Sequence, residues 1–490
     1  MTAQDSLPVA VIGAGPVGLA AAAHLLERGL EPLVLEAGPT VGAAVRAWGH
    51  VRVFSTWQYN LDAAAVRLLE ATGWEAPRPT ALPYGHQIVT GYLEPLAATP
   101  ALKHRIRTGA RVVAVTRQGM DKGRSAGRDQ APFLLRIRHT SGDTTEILAR
   151  AVIDASGTWT TPAPLGSGGL PAPGEAEARA AGLITGPLPD VSGDGFAGRR
   201  TLVIGSGHSA ANMVLDLART ARTNPGTEVF WAIRANTPAR AYGGGDADQL
   251  PARGQLGTRL RTAVDTRAVQ LLTGFHTNGI DMNGGTVTVI AADGRRVEAD
   301  RVIPATGFRP DLSILTELRL DLDPAVDAPK ALGPLIDPDF HSCGTVPAHG
   351  ARILTHPEKD FYLAGMKSYG RAPTFLMATG YEQVRSIAAA LAGDSMAADT
   401  IELELPETGV CSTSIPDNDA VMADSCCATP EPVTVSVGFS TGLARPSVLS
   451  LGGVSSMLLP RNAALRYGPV VGEPRDSRPN PSAGASRQPT

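Results

Sequence analysis

Three glycines near the start of the chain have the spacing of a turn that binds the phosphates of a dinucleotide. Gly13, Gly15 and Gly18 form the pattern GxGxxG within the stretch Val9–Ala22. The first glycine allows a tight turn, the second lets the backbone approach a pyrophosphate, and the third lets a helix pack closely on a strand. Free N–H groups and a partial positive charge at the start of that helix then face the phosphates.

An acidic residue follows at the distance expected for an acid that binds a ribose hydroxyl. The apolar run PLVLE ends at Glu36. A strand before the turn, a helix after it and this acid together favour a dinucleotide site over a glycine-rich turn without a ligand. The residues expected along this first nucleotide are Gly13, Ala14, Gly15, Pro16, Val17, Gly18, Glu36 and Ala37.

A loop with several chemically capable side chains follows Glu36. It leaves the carboxyl end of a strand, where open α/β sheets bind their ligands. Its tryptophans are explained equally well as caps of the hydrophobic core. The loop residues that we expect along a bound cofactor are Arg46, Trp48, Ser55, Thr56 and Trp57.

The strand, turn and helix recur at Thr201–Ala218 with the pattern GxGxxA. The next strand, Glu228–Arg234, ends in Arg234 where the first copy has Glu36. An arginine at this position accommodates a 2′-phosphate, so the second site is expected to prefer NADP over NAD; a solvated surface arginine is the alternative. The polar residues that start the second helix either meet a phosphate or cap the helix. The second site is expected at Gly205, Ser206, Gly207, His208, Ser209 and Arg234.

The repeated strand, turn and helix predict an α/β protein, and the length of the chain indicates two domains with additional segments. The chain has 490 residues, of which 43% are hydrophobic and 19% charged, and its formal net charge is −3. No long basic run indicates a nucleic-acid partner, and no segment approaches the ~18 apolar residues of a membrane span. The four cysteines are too few for a disulfide framework in so long a chain. We therefore expect a cytoplasmic protein without a nucleic-acid or membrane partner.

Hydrophobic periodicity and turn residues predict the remaining elements. Helices are expected at Leu61–Ala71 and Gly91–Thr99, strands at Ala110–Thr116, Phe133–His139, Ala151–Gly157, Thr286–Ala291, Arg296–Glu298 and at the start of Arg301–Asp311, and an irregular connection at Thr160–Arg200. The stretch FYLAG at Phe361 predicts a strand, followed by a loop with Lys367, Tyr369 and Arg371. A helix that begins near Pro373 and Thr374 would suit the pyrimidine edge of a flavin.

With these motifs in place, the chain resembles the flavin-containing monooxygenase-like flavoproteins, including those associated with arsenic resistance. The resemblance covers about Pro8 to Gly393 and depends on GAGPVG at Gly13–Gly18, Glu36, GSGHSA at Gly205–Ala210, ATGFRPD at Ala305–Asp311 and AGMKSYGRAPTF at Ala364–Phe375. It implies two Rossmann-like domains, with FAD on the first motif, NADPH on the second, and the NADPH domain inserted in the FAD domain. The expected boundaries are 1–165 and 301–400 for the FAD domain, 166–300 for the NADPH domain and 401–490 for a low-complexity tail, disordered from Pro430.

The resemblance also implies a reaction. NADPH would reduce FAD, and a C4a-peroxyflavin would oxygenate a small soft-heteroatom or arsenical substrate with molecular oxygen. The candidates for catalytic contact with the ring are Arg46, Trp57, Lys367 and Arg371. Further cofactor contacts are expected at Val112, Ala155, Ser156, Gly157, Thr306, Gly307, Gly365, Met366, Lys367 and Thr374.

Two features leave alternatives open. Asp190 stands where the signature of such monooxygenases has a histidine, although Gly186 of that signature is present. No CxxC or CxxxxC pair of a disulfide reductase exists, and Cys343 stands alone in the body of the chain. The cysteines in the tail are either unremarkable thiols or a site for trivalent arsenic or another thiophilic ion: Cys411, Cys426 and Cys427.

The alternative function is an NADPH-dependent flavin reductase or oxidase that passes electrons to a thiol-bound acceptor, which the tail cysteines and the missing histidine favour. A nucleotide sensor without catalysis is disfavoured because nothing in the chain resembles an appended effector domain. Whether the protein forms a homodimer is left open.

Overall fold

Two parallel β-sheets, one for each glycine-rich motif, dominate the structure. The computed structural model describes residues 6–193, 195–243, 250–338, 346–373 and 375–403, which all belong to one compact unit, Met1–Asp417. The strands are β1 (Val9–Ile12), β2 (Pro32–Leu35), β3 (Ile106–Arg107), β4 (Ala110–Arg117), β5 (Phe133–His139), β6 (Thr144–Ala149), β7 (Ala151–Asp154), β8 (Arg200–Ile204), β9 (Glu228–Ala232), β10 (Gln270–Leu272), β11 (Thr277–Asn283), β12 (Thr286–Ala291), β13 (Arg296–Ala299), β14 (Arg301–Pro304) and β15 (Phe361–Leu363).

The helices within the described residues vary from a single turn to four turns. They are α1 (Pro16–Glu27), α2 (Ala43–Ala47), α3 (Ala63–Glu70), α4 (Gly85–Ile88), α5 (Glu94–Ala98), α6 (Glu175–Ala180), α7 (His208–Thr223), α8 (Ala239–Tyr242), α9 (Pro251–Asp265), α10 (Gly333–Ile336), α11 (Met377–Leu391) and α12 (Ser395–Asp399). A π-helical turn at Val89–Leu93 joins α4 to α5. No helix in this part of the chain is long and apolar enough to cross a membrane.

The first sheet has the strand order β15-β7-β1-β2-β3, and all of its strands are parallel. Every residue of β1 is buried, as expected for a parallel strand covered on both faces. Helices α1 and α11 pack together on this sheet. We call this sheet, its helices and the antiparallel sheet β4-β5-β6 the first lobe.

The second sheet has the strand order β10-β9-β8-β14 and is also parallel. Together with the antiparallel sheet β11-β12-β13 it forms the second lobe. All seven strands of the second lobe lie between β7 and β15 in sequence, which confirms the insertion of one dinucleotide-binding fold in the other. Because β14 pairs with β8, the second sheet ends at Pro304, slightly beyond the boundary expected at residue 300.

Most of the predicted elements are present, with shifted ends. The strands predicted at Ala110–Thr116 and Phe133–His139 pair as an antiparallel hairpin, to which β6 adds a third strand that the sequence analysis did not predict. The predicted helix at Leu61–Ala71 begins at Ala63, because the Asp62 carboxylate accepts the N–H of Ala65 at 2.9 Å and caps the helix.

Three differences concern helices. The helix predicted at Gly91–Thr99 already begins at Gly85, because burial of Ile88 and Val89 outweighs the low helix propensity of β-branched residues. The connection predicted to be irregular contains α6. The helix expected near Pro373 begins at Met377, because Leu376 has an extended backbone and the ring of Phe375 just before it packs edge-on against Tyr369.

Candidate functional site

The two glycine-rich turns have nearly the same backbone conformation. Gly13 and Gly205 both have positive φ, at +99° and +138°. Gly15 and Gly207 cap the following helices with φ and ψ of −81° and −174° in the first turn and −83° and −179° in the second. The predicted strand, turn and helix are thus present at both motifs.

The space around these glycines fits a bound pyrophosphate. A Cβ atom on Gly13 would lie 2.9 Å from the carbonyl oxygen of Ala155, and one on Gly205 would lie 2.0 Å from that of Ala305. In contrast, a Cβ atom on Gly15 or Gly207 would meet no protein atom within 4 Å. The first glycine of each turn therefore packs against the neighbouring strand, while the second opens toward free space at the N-terminus of a long helix, where anions bind.

Glu36 is fixed in orientation by two backbone amides of the first turn. One carboxylate oxygen accepts the N–H of Ala14 at 2.7 Å, and the other accepts the N–H of Gly38 at 2.7 Å. The side chain is half-buried. Because each carboxylate oxygen has two lone pairs, both oxygens keep the capacity to accept a ribose hydroxyl. This geometry fits the predicted role of Glu36.

Arg234 lies two residues beyond the end of β9 and is exposed. Its guanidinium donates a long hydrogen bond of 3.4 Å to the carbonyl of Ser167 and has no carboxylate partner among the described residues. The N-terminus of α7 carries His208, whose ring lies 4.9 Å from that of Phe54 in the first lobe. A loop of the first lobe therefore contacts the turn of the second lobe.

The side chains of the loop after Glu36 are held in several different ways. Arg46, on α2, forms an exposed ion pair with Glu94 at 2.6 Å. The ring of Trp48 lies against Gly85, where a Cβ atom would approach it to 2.7 Å. Trp57 is buried in the core of the first lobe, as the alternative interpretation of the tryptophans expected for this residue.

Ser55 and Thr56 surround a buried amide. Ser55 Oγ donates to Asn60 Oδ1 at 2.9 Å, and Asn60 Nδ2 donates to the carbonyls of Ser55 and Thr56. The hydroxyl of Thr56 is buried without a hydrogen-bond partner in the described part of the chain. A buried hydroxyl that lacks a partner is costly, and a bound cofactor is one group that would satisfy it.

A buried network that the sequence analysis missed supports this segment. Tyr381 donates to the carbonyl of Asn60 at 2.8 Å, the N–H of Asp62 donates to the hydroxyl of Tyr92 at 3.2 Å, and Asp62 contacts His24 at 2.9 Å. Burial raises the pKa of both tyrosines well above its ordinary value, so both phenols stay protonated. The sequence contains no signal for this network because its members lie on separate elements.

The remaining catalytic candidates are basic residues that pair with carboxylates. Lys367 Nζ lies 2.6 Å from Asp154 Oδ2, and both side chains are buried. Arg371 is exposed and pairs with Asp327. Like Arg46, these two cations are neutralised by a partner on the first lobe, so their predicted contact with a flavin ring stays a prediction.

The turns that follow β7 and β14 connect the two lobes. Thr306 Oγ1 donates to the carbonyl of Ala163 at 2.7 Å, and the N–H of Ala163 donates to the carbonyl of Gly307 at 2.9 Å. The rings of Trp159 and Phe308 lie 5.4 Å apart beside these bonds. The two connecting segments therefore run side by side.

Other predicted cofactor contacts are distributed around the first sheet. Val112 is buried on β4, and Gly365 and Met366 follow β15 directly. Four of the predicted residues lie outside the described residues, namely Thr374 and the cysteines Cys411, Cys426 and Cys427. Of the tail predicted at residues 401–490, only residues 401–403 are among the described residues.

Comparison with known proteins places these turns in a family context. Residues 7–327 match the family described as "Pyridine nucleotide-disulphide oxidoreductase". The chain is 30% identical over 216 residues to the indole-3-pyruvate monooxygenase YUCCA1 of Oryza sativa subsp. japonica, which is 43% of this chain and 44% of that protein. The matches to curated relatives span less than half of the relatives' own length.

Solved structures share the fold at low sequence identity. The bacillithiol disulfide reductase Bdr (YpdA) from Bacillus cereus matches with a TM-score of 0.58 and 20% identity, over 79% of this chain and 99% of that one. The ornithine hydroxylase PvdA from Pseudomonas aeruginosa matches with a TM-score of 0.53 and 16% identity, over 79% and 99% of the two chains. These likenesses establish the fold.

Proposed function

Because the chain belongs to the pyridine nucleotide-disulphide oxidoreductase family, we propose that it is a flavin monooxygenase that NADPH reduces. The family match confirms the expectation of an oxidoreductase enzyme that uses FAD and NADPH. We further propose that the substrate it oxygenates is a small soft-heteroatom or arsenical compound. The support for this proposal is the resemblance of the motifs and the arrangement of the two turns. The expected cytoplasmic location stays a prediction.

One observation carries the assignment of the two cofactors to the two lobes. The two turns have matching backbones, but the charged residue that follows the second strand differs between the lobes. It is Glu36, directly after β2, in the first lobe and Arg234, two residues after β9, in the second. A carboxylate accepts hydrogen bonds from the ribose hydroxyls of FAD, whereas an exposed guanidinium without a carboxylate partner among the described residues suits the 2′-phosphate of NADPH.

The protein supplies binding and orientation in this proposal. Bound FAD would supply the redox chemistry, with NADPH as the hydride donor and oxygen as the electron acceptor. The amides at the start of α1 hold one pyrophosphate, and those at the start of α7 hold the other. Glu36 orients the ribose of FAD, and the buried Asn60 and Tyr381 hold the segment with Ser55 and Thr56 in place.

The distribution of cysteines supports oxygenation over disulfide reduction. Disulfide reduction beside a flavin needs a redox-active cysteine pair in the folded lobes. The sequence has no cysteine before Cys343, and no two cysteines are spaced as CxxC or CxxxxC. A reduced flavin in this chain therefore has no such cysteine pair to accept its electrons. We propose that oxygen accepts them instead.

The cysteines near the end of the chain favour a second candidate. Cys411, Cys426 and Cys427 provide three thiols, a donor set that binds soft ions such as trivalent arsenic. Asp190, where a histidine was expected, accepts hydrogen bonds from the N–H and hydroxyl of Ser192 and is thus engaged in a local turn. The second candidate is a flavin reductase that passes electrons to a thiol-bound acceptor.

Stopped-flow spectroscopy of the full-length chain with FAD separates these candidates. The protein is first mixed with NADPH under anaerobic conditions, and the reduced protein is then mixed with oxygen. A monooxygenase forms a transient flavin adduct before the oxidised spectrum returns, whereas a reductase or oxidase releases hydrogen peroxide directly. Absence of reduction by NADPH would contradict both candidates, and a preparation that does not bind FAD would contradict the assignment of the first lobe.

A further inference from the structure

A buried ion pair lies at the carboxyl end of the first parallel sheet, beside the first glycine-rich turn. Lys367 Nζ lies 2.6 Å from Asp154 Oδ2 and 3.1 Å from Ser156 Oγ. The lysine side chain is 1% exposed and that of Asp154 is 0% exposed. The sequence analysis singled out Lys367 but did not select Asp154, the last residue of β7.

The pair fixes the backbone that supports the glycine turn. The other oxygen of Asp154, Oδ1, accepts the N–H of Ser156 at 3.1 Å and its hydroxyl at 2.7 Å. Between them lies Ala155, whose carbonyl oxygen is the atom that a Cβ on Gly13 would approach to 2.9 Å. The charge of Lys367 thus holds Asp154 and Ser156, and these in turn hold the wall against which the Gly13 turn packs.

The lysine is itself held by a rigid segment. It lies in the 3-10 turn Gly365–Tyr369, which directly follows β15. The N–H of Gly365 donates to Gln383 Oε1 at 2.8 Å, and Gln383 Nε2 donates to Ser368 Oγ at 2.9 Å, so α11 fixes the turn from its other side. The ammonium position is therefore determined by both β15 and α11.

A contribution to stability does not by itself explain such a pair. Burial of two charges costs desolvation energy that their attraction often only balances, and uncharged residues of similar size are frequently as stable. The pair lies at the carboxyl ends of β7 and β15, the edge of an open α/β sheet where ligands bind. Its location therefore suggests a role in the geometry of the binding site.

We propose that Lys367 and Asp154 are positioning residues that set the shape of the FAD pyrophosphate turn through Ser156 and Ala155. This inference depends on the proposed binding of FAD to the first lobe. It assigns Lys367 a role behind the cofactor cradle, in place of the catalytic contact with the ring that the sequence suggested. Removal of the pair should weaken FAD binding even where the fold is retained.

The test uses the full-length chain and compares two double variants. Lys367→Met combined with Asp154→Asn removes both charges and leaves no buried charge without a partner. Arg385→Met combined with Glu382→Gln is the matched control, because Arg385 and Glu382 also form a buried ion pair of the first lobe, on the side of α11 that contacts α12. The dissociation constant of FAD is measured by flavin fluorescence, and the melting temperature of each apoprotein is measured separately.

We expect the dissociation constant of FAD to rise about tenfold or more in the Lys367→Met/Asp154→Asn variant. Residues that hold metal ligands in place by hydrogen bonds have effects of this size on metal affinity, and Lys367 and Asp154 would act on the FAD turn in the same indirect way. The control should keep the dissociation constant within about twofold of the original protein, the scale of non-specific effects. The absorption maximum of bound flavin, which reports its surroundings, should shift only in the first variant. FAD affinity and absorption equal to those of the original protein in this variant would overturn the inference.

Two further outcomes are decisive. Should the Lys367→Met/Asp154→Asn variant not fold, Ser156→Ala decides, because it changes an exposed side chain that links the ion pair to the turn. Unchanged FAD affinity in Ser156→Ala overturns the inference, and a severalfold loss supports it. Failure of the original protein to bind FAD would instead overturn the proposed function, so the two failures are distinguishable.

Discussion

The close contact between Gly205 and Ala305 allows a sharp test of the second nucleotide site. In Gly205→Ala, the new Cβ would lie 2.0 Å from the carbonyl oxygen of Ala305 and 2.6 Å from its carbonyl carbon. Both are backbone atoms at the end of β14, so the turn or the strand must move. Residues other than glycine at such positive φ cost about 1–3 kcal/mol, and overpacking adds about 1–3 kcal/mol.

The matched control is Gly226→Ala in the same lobe. Gly226 also has positive φ, at +84°, but the atom nearest to a new Cβ there is the Cα of Gly198, at an ordinary 3.8 Å. Gly226→Ala therefore carries the energetic cost of a positive φ at a residue other than glycine, but it causes no steric clash. Comparison of the two variants isolates the effect of moving the turn.

The assay is the rate of anaerobic flavin reduction as a function of NADPH concentration. We expect Gly205→Ala to raise the apparent dissociation constant of NADPH by about tenfold or more, since each 1.4 kcal/mol lost changes the affinity tenfold. FAD content should stay at the original level because Gly13 and its turn are unchanged. Normal reduction by NADPH in Gly205→Ala would refute the assignment of this turn to the pyridine nucleotide.

Three further predictions concern single side chains. Arg234→Ala should weaken NADPH binding about tenfold or more while NADH binding changes little, and equal losses in titrations with both nucleotides would contradict its role. Glu358→Gln should lower the free energy of unfolding by about 3–5 kcal/mol in denaturant titration, since it leaves Arg117 and Arg128 buried without their carboxylate. Burial alone would raise the pKa of Glu358, but the hydrogen bonds from Arg128 and Arg117 hold the pKa below its ordinary value. The stability that the ionised Glu358 contributes is therefore lost as the pH falls through this lowered pKa. Burial lowers the pKa of His356 to about 4, so the unfolded chain takes up its proton first. The contribution of His356 should therefore destabilise the fold from about pH 6.5 down to 4, and His356→Gln should reduce this loss in melting curves.

Local signals in the sequence were sufficient for the elements that build the two turns. The glycine spacing at Gly13 and Gly205 and the small residues that follow are recognisable within each motif alone, and both turns formed as predicted. The helix α6 was missed because it is only six residues long and is stabilised from outside. The buried carboxylate of its first residue, Glu175, accepts the N–H groups of Leu165 and Ala172, which periodicity does not reveal.

The sequence did not predict which partners the charged and polar side chains would have. Lys367 and Asp154 are separated by 213 residues, so no spacing rule relates them. Tyr381 and Asn60 are separated by 321 residues. Such pairs form because the inserted lobe returns the chain to the first sheet at β15. The topology was predicted, but the identity of the side chains that meet at its edge depends on three-dimensional register.

A difference at the third glycine position distinguishes the packing of the two turns. A Cβ on Gly18 would lie 1.9 Å from the carbonyl oxygen of Gly13, so α1 can approach its strand this closely only with glycine there. The second turn has Ala210 at the corresponding position, buried at the start of α7. In the second turn the carbonyl oxygen of Gly205 accepts the indole N–H of Trp231 at 2.7 Å, so the equivalent carbonyl oxygens of the two turns have different neighbours. The two turns are therefore not interchangeable, which agrees with two different nucleotides on the two lobes and does not depend on Glu36 or Arg234.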